Sequence, residues 1–159
     1  MKMNNKGFTL VELLAVLAII AIIGMIAIPN VISVVDNNKK DLMLQDAQKF
    51  VSLAKAVVMK DRVFRDDPTQ LVSPKYYLQN LDDKETIKID PDGTPYSRTN
   101  SYVIYYKQTT TQNAGYCVYL EGEKRAVKNT ATGTSCVMEE ELTNRQKVFD
   151  NYFIDDRYK

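Results

Sequence analysis

The chain has 159 residues, enough for about one domain, with 21 Lys+Arg against 20 Asp+Glu and neither His nor Trp. Without histidine, serine triads, HExxH chemistry and His-bearing zinc sites are excluded. A net charge of +1 gives no electrostatic footprint for nucleic acid.

Charge is distributed unevenly along the chain. Residues 13–35 contain no charged side chain, whereas residues 36–159 contain 38. Phe8 to Val35 is a run of 28 residues whose only charge is Glu12. About 20 apolar residues span a bilayer core, so this run is long enough to cross one. Lys2 and Lys6 ahead of it hold the N-terminus on the cytoplasmic side and send the rest outward. A secretory signal peptide fits poorly, because the run is too long and no A-x-A site precedes a polar start. A plain single-pass anchor accounts for everything except Glu12. A carboxylate in a membrane helix costs roughly 2.5–3.5 kcal/mol on insertion scales, so it calls for a partner or a function.

Lys6, Gly7, Phe8, Thr9, Leu10, Val11 and Glu12 stand as a basic leader ending in Gly, then Phe-Thr-Leu-Val-Glu, with an apolar helix behind. In this the N-terminus resembles type IV prepilins and their pseudopilin relatives. The resemblance implies an α+β, type IV pilin-like fold, in which a long N-terminal helix packs on a small antiparallel sheet. It implies a leader over residues 1–7, a transmembrane and assembly half-helix over 8–35, and an exported globule over 36–159. A prepilin peptidase would cut between Gly7 and Phe8 and methylate the new amine of Phe8. Glu12 would meet that amine on a neighbouring subunit. Other partners implied are further pilin subunits in a helical fibre, an assembly platform with its ATPase, and the membrane before assembly. No cofactor, metal, catalytic residue or nucleic acid is expected.

Gly24 and Pro29 are helix breakers, and a kink or local melting is expected near residues 24–29. Pro29 falls where the family usually has its proline, while many relatives place a glycine where this chain has Ala21. Beyond Val35 the helical period continues over 36–61. Met43, Ala47, Phe50, Val51, Ala54, Val57 and Val58 form one stripe, and an end is expected near 61–67, before Pro68.

Residues 62–99 read as a connecting loop with a helical turn in LVSPKYYLQNL and a short strand in ETIKI (85–89), Ile87 and Ile89 inward. DPDGTPY (90–96) is a turn cluster whose likeness occurs in several pilins and pseudopilins; its Asp90-x-Asp92-Gly93 spacing does not complete a calcium loop. Strand patterns follow at 101–106, 115–123, 124–129 and 134–138, giving a meandering antiparallel sheet of three or four strands. The tail from 139 is either a last helix or an edge segment packing through Val148, Phe149, Tyr152 and Phe153.

Cys117 and Cys136 are the only cysteines. An even pair in an exported globule suggests one disulfide, and two buried thiols are the alternative. The expected function is therefore a structural subunit of an extracellular type IV pilus. The alternatives are a pseudopilin of a secretion or competence system and, in another class, a single-pass membrane-anchored binding protein. Asp66–Asp67, Asp82–Asp83 and Glu139–Glu141 read as solvated charge runs with no nucleophile or base beside them, and an enzyme is not expected.

Overall fold

A single helix, α1, runs from Leu10 to Lys60. The computed structural model describes residues 9–60, 74–82, 84–107, 114–133 and 135–151. The chain divides into two compact units, Met1–Asn38 and Lys39–Lys159. In the first, residues 9–23, 25–28 and 30–35 are exposed. Such a continuous apolar surface is unstable in water and calls for lipid or protein cover.

The backbone stays helical through Gly24 and Pro29, so the local melting expected at these breakers is not present in the isolated chain. A proline deletes only the bond that its own N–H would donate, and the ladder on either side carries the helix on. Asn30 Nδ2 donates to the carbonyl of Ile26 at 3.2 Å, which satisfies its amide within the helix.

In the second unit α1 buries Met43, Ala47, Phe50, Val51, Ala54 and Val58. Leu44 is buried with them, whereas Val57 is 38% exposed. At about 100° per residue Leu44 and Val57 lie on opposite edges of the stripe. The stripe is thus turned toward Leu44 from the position that the sequence pattern implies.

The strands are β1 (Lys75–Tyr77), β2 (Tyr102–Tyr106), β3 (Gly115–Glu121), β4 (Arg125–Val127), β5 (Val137–Met138) and β6 (Val148–Asp150). All pairings are antiparallel, in the order β1-β2-β3-β4-β6, with β5 also on β3. Successive side chains of a strand face opposite ways. Val118 and Leu120 accordingly join Val103, Val127, Val137 and Val148 in the core shared with α1. Cys117 and Tyr119 take the other face, where Tyr102, Tyr119 and Ala126 form a smaller cluster with Tyr77 and Ile104. Tyr102 and Tyr119 are register partners with ring centroids 5.5 Å apart.

β3 changes partner along one edge. Cys117 and Val118 pair with β5, and Leu120 and Glu121 pair with β4. A Cys117–Cys136 disulfide closes that junction, with Cα atoms 5.4 Å apart. It pins the two-residue strand β5, which has few ladder bonds of its own. Replacing both cysteines with serine is expected to lower unfolding free energy by about 3 kcal/mol, from the chain entropy of the closed loop. Urea denaturation of residues 36–159 with and without the substitutions measures it. An unchanged midpoint would show that strand pairing alone retains β5.

The connecting region departs from its sequence pattern. β1 has no counterpart among the expected strands; the helical turn expected there is α2 (Leu78–Leu81), directly after it. ETIKI makes no strand, only an isolated bridge between Ile89 and Pro95. Ile87 is 2% exposed but Ile89 is 58% exposed, so the two do not share an inward face. Asp82 supplies the reason. Its buried carboxylate accepts from Thr86 N, Thr86 Oγ1 and Ile87 N at 2.7–2.9 Å, curling the chain where a strand would run straight. Glu85 takes a positive φ of 51° within that curl. The tail forms 3₁₀ turns at Glu139–Glu141 and Arg145–Lys147 and then β6, an edge strand on β4. The expected helix end at 61–67 and the packing of Tyr152 and Phe153 lie outside the described residues.

The DPDGTPY turn clasps the globule. Asp90 accepts from Asp92 N, Thr94 N and Thr94 Oγ1, which rounds the turn. Asp92, 4% exposed, bonds Lys39 Nζ of α1 at 2.8 Å and Arg125 Nε of β4 at 2.7 Å. Tyr96 donates its phenol to Asp46 of α1 at 3.0 Å. Its burial and the carboxylate beside it hold that phenol far above the ordinary tyrosine range. Gly122 lies so close that a Cβ there would stand 2.5 Å from Asp90 Oδ2. These carboxylates are therefore engaged by protein donors.

Candidate assembly site at the head of the helix

Glu12 stands three positions after Thr9, one turn of helix at the head of α1. Thr9 precedes the first helical residue and acts as N-cap. Its Oγ1 accepts from Glu12 N at 3.3 Å. In return, Glu12 Oε2 accepts from Thr9 N and from Thr9 Oγ1, each at 2.9 Å. This reciprocal arrangement is a capping box, which satisfies donors that the first helical turn otherwise leaves unpaired. A carboxylate in the first turn also suits the positive end of the helix dipole.

The capping box changes the physical account of Glu12. The carboxylate does not enter the apolar segment wholly unpaired, because its own helix supplies two donors to one oxygen. Among the described residues Oε1 accepts no bond, and the negative charge is not neutralised. A cation can therefore pair with an oxygen already held in place. The role of Thr9 is not among those expected from the sequence, although Thr-x-x-Glu ahead of an apolar run is its signal.

Residues 2–28 match the sequence profile of the prokaryotic N-terminal methylation motif. The N-terminus carries the signature of prepilin-type precursors. This motif is the signature of type IV pilin and pseudopilin precursors, whose roles are structural, and it carries with it processing by prepilin peptidase and assembly with other pilin-type subunits. The long apolar-headed helix followed by a small antiparallel sheet is the α+β arrangement of that fold. No curated protein and no solved structure matches the chain.

The other residues singled out in the sequence fall into separate places. Gly7 and Phe8 lie outside the described residues. Gly24 and Pro29 stand further along α1, in the apolar stretch that follows Glu12. Among the described residues a Cβ built on Gly24 would meet only Ile28 Cδ1, at an ordinary 3.9 Å, so packing against them does not require glycine there. Its smallness is free to serve close approach of another helix. The bonded Cys117 and Cys136 belong to the second unit and take no part in the helix head. α1 is long and apolar enough to cross a membrane, which fits a membrane-anchored precursor.

Proposed function

We propose that the chain is the precursor of a structural subunit of an extracellular type IV pilus. The precursor inserts with residues 1–7 inside and residues 36–159 outside. Cleavage between Gly7 and Phe8 exposes an amine, which the peptidase methylates. An ATPase-driven platform then lifts subunits from the bilayer, and residues 8–35 exchange lipid for one another in the fibre core. In lipid, helices associate by packing and polar contacts, and small residues such as Gly24 assist close approach. Pro29 leaves one carbonyl of the preceding turn without its donor, so the helix loosens most readily around 24–29 once neighbours press on it.

The observation that carries this reading is Glu12, held by Thr9 at the head of an apolar helix within the methylation motif. The Phe8 amine of a neighbouring subunit supplies the opposite charge. Pairing offsets the cost of each ion in a medium of low dielectric. Because one stagger alone aligns the two groups, the pair sets the axial register of the fibre.

Processing gives the direct test. Intact mass of the mature subunit should show residues 1–7 removed and one methyl group added. A species that begins at Met1, or near residue 36, overturns the proposal. Replacing Gly7 with a bulky residue should leave uncut precursor in the membrane fraction. Electron microscopy of sheared surface filaments, with mass spectrometry of their subunit, separates an extended pilus from the short fibre of a secretion or competence system.

A further inference from the structure

β4 and β6 pair at one edge of the sheet, and the Cys117–Cys136 bond joins neither strand. Asn129 stands two positions beyond the end of β4, and Lys147 directly precedes β6. Backbone bonds fix both residues. Lys128 N donates to Lys147 O at 2.9 Å, Asn129 N to Ser135 O at 2.9 Å, and Lys147 N to Asn144 O at 3.0 Å.

Two side chains converge on one ammonium. Lys147 Nζ donates to Asn129 Oδ1 at 2.6 Å and lies 2.9 Å from Glu141 Oε1. In the sequence Glu141 reads as part of a solvated charge run, yet the fold sets an amine beside it. The Lys147 side chain is only 17% exposed, which restricts the ways it can turn aside. Asn129 is exposed, so a group released from its amide reaches water directly. A C=O bond of about 1.23 Å keeps Nζ within about 3.8 Å of Asn129 Cγ. Attack on a carbonyl begins at about 3–3.5 Å, a small shift away. The nearby Lys128 Nζ bonds Asn151 Oδ1 at 3.3 Å, but among the described residues no carboxylate bonds that ammonium. Lys147 therefore has what Lys128 lacks, a proton acceptor within reach of the nucleophile.

We propose that Lys147 and Asn129 join in an intramolecular isopeptide bond, with Glu141 as the proton relay. Glu141 takes one proton from the ammonium, and the freed amine attacks Asn129 Cγ. The Nζ–Cγ bond forms and the Cγ–Nδ2 bond breaks. Glu141 passes that proton, and then a second one from Nζ, to Nδ2, which leaves as an ammonium ion. A lysine ammonium and a carboxamide thus become a secondary amide and free ammonium, and Glu141 is again a carboxylate. No oxidant or reductant is needed. One turnover per chain suffices, and the folded backbone supplies the proximity. The link fastens β6 to the end of β4.

The test is mass spectrometry of the full chain purified in detergent micelles. Intact mass should lie one ammonia below that of the disulfide-bonded chain, once leader loss and methylation are counted. Trypsin does not cut after an acylated lysine, so after reduction residues 129–145 and 146–157 should travel as one branched species. Tandem fragmentation should place the branch between Asn129 and Lys147. Glu141→Gln should lower the linked fraction at least tenfold, and Lys147→Arg should abolish it. The wild-type peptide map decides the bond by itself, whatever either variant does to folding. A chain of full mass that trypsin cuts after Lys147 overturns the inference and leaves an ordinary surface ion pair. Ammonia loss that persists in Lys147→Arg, a link at Lys128–Asn151 in its place, or undiminished linkage in Glu141→Gln overturns it as well.

Discussion

Filament yield is expected to fall at least tenfold in cells carrying Glu12→Ala, while processed subunit accumulates in the membrane. Insertion itself should not suffer. Removing a carboxylate from the apolar helix favours insertion, by up to about 3 kcal/mol on biological scales. The globule contains no part of this site and should fold as before. What the proposed fibre loses is the counter-charge for the Phe8 amine and, with it, the axial register.

The capping box makes this experiment sharper, because Glu12 has two physical roles that respond to different substitutions. Glutamine also serves in a capping box but carries no charge. Thr9→Ala removes the cap side chain but keeps the charge, at a cost of about 0.5–2 kcal/mol in helix stability. If inter-subunit pairing governs assembly, Glu12→Gln should fail nearly as fully as alanine, and Thr9→Ala should retain most filaments. If helix capping governs it, glutamine should assemble normally and Thr9→Ala should not. Filament yield by shearing, normalised to membrane levels of cleaved subunit, distinguishes these outcomes. Normal filaments from normally processed Glu12→Ala would remove Glu12 from the assembly mechanism.

The second large effect is expected at Asp92. Its carboxylate is buried and holds Lys39 from α1 and Arg125 from β4. Asp92→Ala leaves both cations without this partner and detaches the turn from the helix and the sheet. Breaking a buried pair by deleting one member costs roughly 3–5 kcal/mol. Lys39 is about a third exposed and can turn its ammonium to water. The expected loss is therefore about 2–4 kcal/mol, or on the order of 10 °C in Tm for a domain of this size. Urea and thermal unfolding of residues 36–159 measure it. A loss below about 0.5 kcal/mol would place the triad among surface ion pairs of negligible weight.

The same site predicts a pH dependence. Burial pushes the Asp92 carboxyl upward, but bonds from Lys39 and Arg125 outweigh it and hold the group below the usual carboxylate range. A depressed folded-state pKa contributes stability that is present above the unfolded value, about 3.9, and is lost as pH falls through the lowered one. The stability gap between wild type and Asp92→Ala should thus stay constant from about pH 5 to 8 and close on further acidification. A gap that widens in acid would reverse the assigned sign.

The apolar run, its lone carboxylate, the stripe on α1 and the alternation in β2 and β3 are all legible in the amino-acid sequence. These features repeat at intervals of two to four residues and follow from the local geometry of helix and strand. The capping box belongs with them, since Thr9 and Glu12 are one turn apart and form a local motif. Other features depend on residues distant in the chain. Asp92 finds Lys39 at a separation of 53 residues and Arg125 at 33, so DPDGTPY by itself reads as a turn, with nothing to show that it is a clasp. The curl at 82–87 overrides the alternation of ETIKI because a buried carboxylate gathers three donors there. β1, β5 and β6 are two or three residues long, too short for any periodicity. Their extended form comes from the edges they join and, for β5, from a disulfide that holds it there. Local pattern determined which segments could be helix or strand; the partners that buried and paired them decided the rest, since burial and charge pairing act through space.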